Sequence, residues 1–149
     1  MKEQGLFSPE TGLISQGDFL LKILSADLPV VTNNKKISFY NVPCAFDIEV
    51  SSFYYNGEKN ASMYIWQFGI LNWVTYGRTW EEYFKFLDNL KYWLGLDDKT
   101  KLVIFVHNLG YEYYFLYQFL AERSETSVFA SKSHHPLRVE CAEGFEFRC

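Results

Sequence analysis

The stretch Lys101-Leu102-Val103-Ile104-Phe105-Val106-His107-Asn108-Leu109-Gly110-Tyr111-Glu112 decides the fold class. Its first half is a compact apolar run, too short for a helix and suited to a strand buried on both faces. Its second half opens a helix expected over about 111–122, with Tyr114, Phe115 and Phe119 inward. A core strand handed directly to a helix belongs to an α/β protein.

Upstream, Thr79-Trp80-Glu81-Glu82 has the form of a capping box. Trp80, Tyr83, Phe84, Leu87, Leu90 and Leu94 follow at helical spacing, and Gly95 ends the element. Further back the period changes to two. Over Cys44 to Phe53, Phe46, Ile48 and Val50 share one face and Asp47, Glu49 and Ser51 the other, as in a strand. Asn56-Gly57 is turn chemistry. Second and third strands are expected over 61–71 and 73–76, completing an antiparallel meander. Downstream, 127–149 reads as a two-stranded hairpin around Ala142-Glu143-Gly144. The first 40 residues read as an appendage, with a short helix started near Ser15 and a polar connector at Asn33-Asn34-Lys35-Lys36.

The 149 residues are one domain's length, 48% hydrophobic and 19% aromatic, which excludes a disordered chain. The formal net charge of −4 excludes attraction of nucleic acid by bulk basic charge. Any such contact has to be local, through stacking and metal ions. Cys44, Cys141 and Cys149 read as reduced, buried thiols in a cytosolic protein. No apolar run approaches the ~20 residues of a membrane span.

Asp47 and Glu49, two apart on a strand, leave the same face. They read either as acids of an edge strand in water or as oxygen ligands whose repulsion a divalent cation removes. Glu112 reads either as a favourable charge at a helix N-terminus or as an acid projecting back over the sheet toward Asp47. Asn108 offers an amide there, and Tyr111 a ring for stacking a base. Elsewhere, His134, His135 and Cys141 match no common zinc spacing and read as a polar hairpin flank. Lys132, Arg138 and Arg148 read as scattered surface charge. The rings of Tyr54, Tyr55 and of Trp66 through Trp73 read as core.

Phe46-Asp47-Ile48-Glu49, followed some sixty residues later by Val106-His107-Asn108-Leu109-Gly110-Tyr111-Glu112, resembles the first two exonuclease motifs of family B DNA polymerases, in particular the protein-primed phage branch. The resemblance covers residues 44 to 149. It implies a ribonuclease H-like exonuclease fold, a mixed sheet with flanking helices, incomplete at the C-terminus. Residues 1–40 would be an N-terminal appendage and 41–149 a partial exonuclease domain. The implied activity is two-metal removal of 3′-terminal nucleotides from single-stranded DNA, with two Mg²⁺ or Mn²⁺ ions. Asp47, Glu49 and Glu112 would be the metal-binding catalytic acids. Asn108 and Tyr111 would hold the last nucleotides, and His107 the backbone nearby. The expected partners are a single-stranded DNA 3′ end and either the rest of a polymerase chain or a protein covering the open sheet. No membrane is involved, and the implied setting is a viral protein in the cytoplasm of a bacterial host.

This sequence departs from the family pattern in three places. Glu112 stands where the family has Asp, which moves the carboxylate by up to ~1.5 Å. Val50 follows Glu49 where relatives often carry Thr. The family's third motif, Tyr-x-x-x-Asp, has no counterpart, so weak or absent activity is expected. The alternative is a non-catalytic viral interaction protein, a polymerase fragment recognised by, or inhibiting, a partner.

Overall fold

Ser15 accepts a hydrogen bond from the Asp18 amide at 3.2 Å and so starts α1 (Gln16–Ser25). This is a computed structural model, and it describes residues 12–132 and 135–149. After α1 come β1 (Val30–Thr32), β2 (Ser38–Tyr40), β3 (Cys44–Tyr55), β4 (Glu58–Ile70), β5 (Trp73–Gly77) and α2 (Trp80–Leu94). The chain continues through β6 (Thr100–Phe105), α3 (Leu109–Arg123), β7 (Thr126–Lys132), β8 (His135–Cys141) and β9 (Phe145–Arg148).

The main sheet runs β5-β4-β3-β6-β9-β8-β7. The meander β3–β4–β5 is antiparallel, whereas β6 lies parallel to both β3 and β9. The architecture is therefore α/β, a mixed open sheet with flanking helices. The parallel pairs require crossovers, and α2 and α3 are the helices in the connections around β6.

Period-two alternation in β3 buries Cys44, Phe46 and Ile48 and exposes Ala45, Asp47 and Glu49. The helices cover the buried face. Phe46 stacks on Tyr83 of α2 at 4.5 Å between ring centroids, and Phe19 of α1 meets Phe68 edge-on at 6.2 Å. α3 lies beside α2, with Phe119 against Phe84 at 5.2 Å. Arg123 ties the end of α3 to Glu143 at 2.7 Å and to Asp88 of α2 at 2.5 Å. Thr79 accepts from the Glu82 amide at 3.1 Å, and Gly95 ends α2 at φ 65°.

Several expectations need correction. β6 is buried on one face, through Leu102 and Ile104, while Phe105 is exposed on the other. The inward face of α3 is Leu109, Glu112, Leu116 and Leu120. Tyr114 is 72% exposed and Phe119 39%. Among the described residues, 127–149 holds β8 and β9 and nearly all of β7, three strands rather than two, with β7 antiparallel to β8 and β8 to β9. Asn33–Lys36 is the turn of the β1–β2 hairpin, whose β2 pairs with the start of β6. Phe19 and Ile23 of α1 belong to the same core as the main sheet. Tyr54 and Tyr55 are exposed near the tip of the β3–β4 ribbon, beside a turn with φ 51° at Asn56 and 79° at Gly57. Cys44 and Cys141 are buried free thiols, but Cys149 is exposed. Arg138 pairs with Glu140, and Arg148 with the buried Glu146. His134 lies outside the described residues. Among those described, no helix is long and apolar enough to cross a membrane.

The Tyr83 hydroxyl is buried and has no hydrogen-bond partner, while its ring fills the space between Phe46 and Trp66. Tyr83→Phe keeps that packing and removes an orphaned polar group. We expect it to raise stability by about 1 kcal/mol in urea unfolding. A loss of more than that amount would show that the hydroxyl has a partner in solution.

Candidate functional site: two carboxylates at the end of a core strand

β3 pairs with β6 only through Ala45 and Phe105. Asp47 therefore stands just past the carboxyl end of β6, at the level where the chain leaves the sheet for α3. That crevice is where open α/β sheets place ligands. The first turn of α3 brings Glu112 into it. Glu112 is 3% exposed, and its Oε2 receives no hydrogen bond. Its carboxyl lies within hydrogen-bonding reach of the Asp47 carboxylate. Burial, and then the charge of Asp47 and the proton the two groups share, push the Glu112 acid up to about 7. Its own backbone N–H works in the opposite direction.

The sign of the pH dependence follows. Between an ordinary glutamate value and about 7, folded Glu112 holds a proton that the unfolded chain has released. Stability therefore falls as pH rises through that window, and the full cost, on the order of 3 kcal/mol, is present above it. Glu112→Gln should unfold with the same midpoint urea concentration at pH 5 and pH 8, while the native chain loses stability between them. Parallel profiles for the two proteins would refute the buried, shared proton.

Glu49 lies on the same face as Asp47 and is exposed. Opposite Glu49 and Val50 the register skips Tyr64, a bulge on β4. The structure thus brings together Asp47 and Glu112. Among the described residues no group of three or more His, Cys, Asp or Glu side chains is placed to hold a metal ion.

Asn108 precedes α3 at the capping position, yet its side chain makes no cap hydrogen bond. Its backbone carbonyl instead accepts from the Tyr111 and Glu112 amides at 3.0 and 3.2 Å. The exposed amide is thereby left for a ligand, where capping is the usual use of Asn. Tyr111 is 45% exposed and meets Phe115 edge-on at 5.5 Å, leaving ring surface to solvent. His107 is exposed and lines, with Asp47, a hollow of about 530 Å³ on the face of the sheet that the described helices leave open.

Gln67 and Cys149 line the same hollow and were not legible from spacing. Gln67 sits opposite Asp47 in the β3–β4 register, and the Cys149 thiol donates to the His107 carbonyl at 3.6 Å. Only cross-strand pairing reveals either residue. No protein-family model matches this chain, and no curated protein matches it.

The donor set suits one divalent cation of the Mg²⁺ or Mn²⁺ type. Two hard carboxylates face each other, and one carries a buried oxygen with no donor. A cation would replace the shared proton and relieve the repulsion.

Proposed function

We propose that this protein is a metal-dependent 3′–5′ exonuclease domain acting on single-stranded DNA, of the proofreading type found in family B DNA polymerases. The reading rests on one observation. Asp47 and Glu112, 65 positions apart, come together at the carboxyl end of β6, near enough for the Asp47 carboxylate to raise the buried Glu112 acid. The motif resemblance expects that pairing. The mixed sheet, with β3 parallel to β6 and antiparallel to β4, is compatible with a ribonuclease H-like fold.

Asp47 and Glu112 would hold the cation, which supplies Lewis-acid stabilisation of charge on a phosphodiester. Glu112 has to give up its proton to serve, so binding strengthens as pH rises through about 7. Asn108 presents its amide and Tyr111 its ring to the terminal nucleotide, and His107 stands where the backbone would pass. Glu49, two residues along the same face, would join the set only by moving its side chain toward Asp47. Weak activity, best with Mn²⁺, is the expected consequence of two assembled carboxylates.

The test is incubation with 5′-labelled single-stranded DNA and Mn²⁺ at pH 8, with EDTA as control. A ladder of shortened products that EDTA abolishes supports the proposal. Intact DNA after prolonged incubation at micromolar protein refutes it.

A second reading, a non-catalytic interaction protein, is favoured by the sheet face that the described helices leave open, where Phe105 is 49% exposed beside Ala45, Gly69 and Val74. Intact DNA together with a stable dimer on gel filtration would support that reading.

A further inference from the structure

We infer that the cleft between α3 and the β7–β8 hairpin takes unpaired nucleobases of the same strand whose end the Asp47–Glu112 site holds. The inference rests on the nuclease reading and adds a second binding site to it.

Gly110, Tyr113, Tyr114 and Tyr117 recur at i, i+3, i+4 and i+7, so they share one flank of α3. That flank faces Val128 and Pro136 across a cleft of about 530 Å³. This volume is within the range of ligand sites. Two of its three tyrosines are not core residues, Tyr114 being 72% and Tyr117 45% exposed. Tyr113 and Tyr117 lie 6.2 Å apart between ring centroids at 40°, so their faces do not occupy one another as a stacked pair would. Large rings left open in this way offer sequence-tolerant stacking surfaces.

The charge around the cleft also suits a strand of phosphates. The chain carries 18 acids against 14 Lys and Arg, yet among the described residues no acid lines this cleft. Lys132, opposite His135 in the β7–β8 register, follows Ala130 of the lining by two residues along β7. Position ties the cleft to the site. The connection 106–110 borders both, His107 lining the hollow that contains Asp47 and Gly110 lining the cleft. At about 100° per residue, Tyr113, Tyr114 and Tyr117 lie roughly 100–200° around α3 from Glu112. A strand whose end is held at Glu112 therefore reaches these rings by crossing the first turn of α3, past Asn108 and Gly110.

The test measures binding of fluorescein-labelled oligo(dT) of twelve residues by anisotropy, in EDTA and low salt, so that no metal is needed. Tyr114→Ala/Tyr117→Ala is expected to bind about tenfold to a hundredfold more weakly than the native chain. Tyr114→Phe/Tyr117→Phe, which keeps the rings, is expected to restore binding to within about threefold. Both pairs sit at exposed positions, and an unchanged melting temperature certifies folding. Equal binding by the native chain and the double alanine variant overturns the inference, as does a native chain that does not bind. The nuclease reading fails separately, if Mn²⁺ yields no ladder while the tyrosine-dependent binding persists. In that case the cleft stands as a nucleic-acid site.

Discussion

Asp47→Ala is expected to abolish the Mn²⁺-dependent shortening of single-stranded DNA, by about a hundredfold or more. Metal stabilisation of phosphoryl charge is worth several kcal/mol, and each ~1.4 kcal/mol is a factor of ten in rate. Without Asp47, Glu112 is left as a lone buried carboxyl. Its neighbour's charge is gone, so it ionises more easily, but a single buried carboxylate lacks the second oxygen donor that would hold a cation. Unfolding does not explain such a loss, because Asp47 is exposed and its removal relieves a repulsion in the folded state. Asp47→Asn sharpens the test, keeping the shape and losing the charge. Activity in either variant within tenfold of the native chain would place the metal elsewhere.

Trp66→Ala is expected to cost about 3–5 kcal/mol, enough to leave much of the chain unfolded at 37 °C. Trp66 is fully buried under α2, meeting Tyr83 at 5.0 Å and Phe86 at 5.3 Å between ring centroids. Its indole N–H donates to the Thr79 carbonyl at 3.1 Å, which ties β4 to the residue that caps α2. The ring also lies flush on Gly77, where a Cβ would collide with it and with the Glu82 carboxylate. Loss of the indole opens a cavity and removes one of the two hydrogen bonds to the Thr79 carbonyl, leaving only that from the Tyr83 amide. Urea unfolding of Trp66→Ala and Trp66→Phe checks this, the phenylalanine variant recovering a substantial part of the loss. A cost below about 1.5 kcal/mol would show that this corner repacks freely.

What was legible in the sequence was local. Alternation from Cys44 placed Phe46 and Ile48 inward and Asp47 and Glu49 outward, because a half-buried strand has period two. Thr79, the spacing of Leu87, Leu90 and Leu94, and Gly95 delimited α2, because capping and periodicity agree there. α3 was misread for a physical reason. Aromatic residues at 111, 113, 114, 115, 117 and 119 ring the helix, while an acid occupies one inward position, so no clean apolar stripe marks the buried face. The β1–β2 hairpin escaped because three-residue strands carry too little pattern. β6 reads as doubly buried because all five residues after Lys101 are apolar, although Phe105 faces solvent.

The site was half legible for the same reason. Asp47 and Glu112 were both marked by motif, but their meeting depends on the β3–β6 pairing, a non-local contact. Glu49 shares a face with Asp47, so nothing in the spacing separates it from the pair that converges. The tyrosine cleft needed the β7–β8 pairing, which a single two-stranded reading of 127–149 does not contain.

The central claim is that Asp47 and Glu112 bind one divalent cation between them, and the most direct measurement is the melting temperature at pH 8 with and without Mn²⁺. At a hundredfold excess over the dissociation constant, binding stabilises by about 2.7 kcal/mol, a rise of roughly 5–10 °C for a chain of this size. The account predicts that rise in the native chain, a smaller one at pH 6 where the proton competes, and none in Asp47→Asn or Glu112→Gln. No rise in the native chain at pH 8, or an equal rise in the two variants, would contradict it.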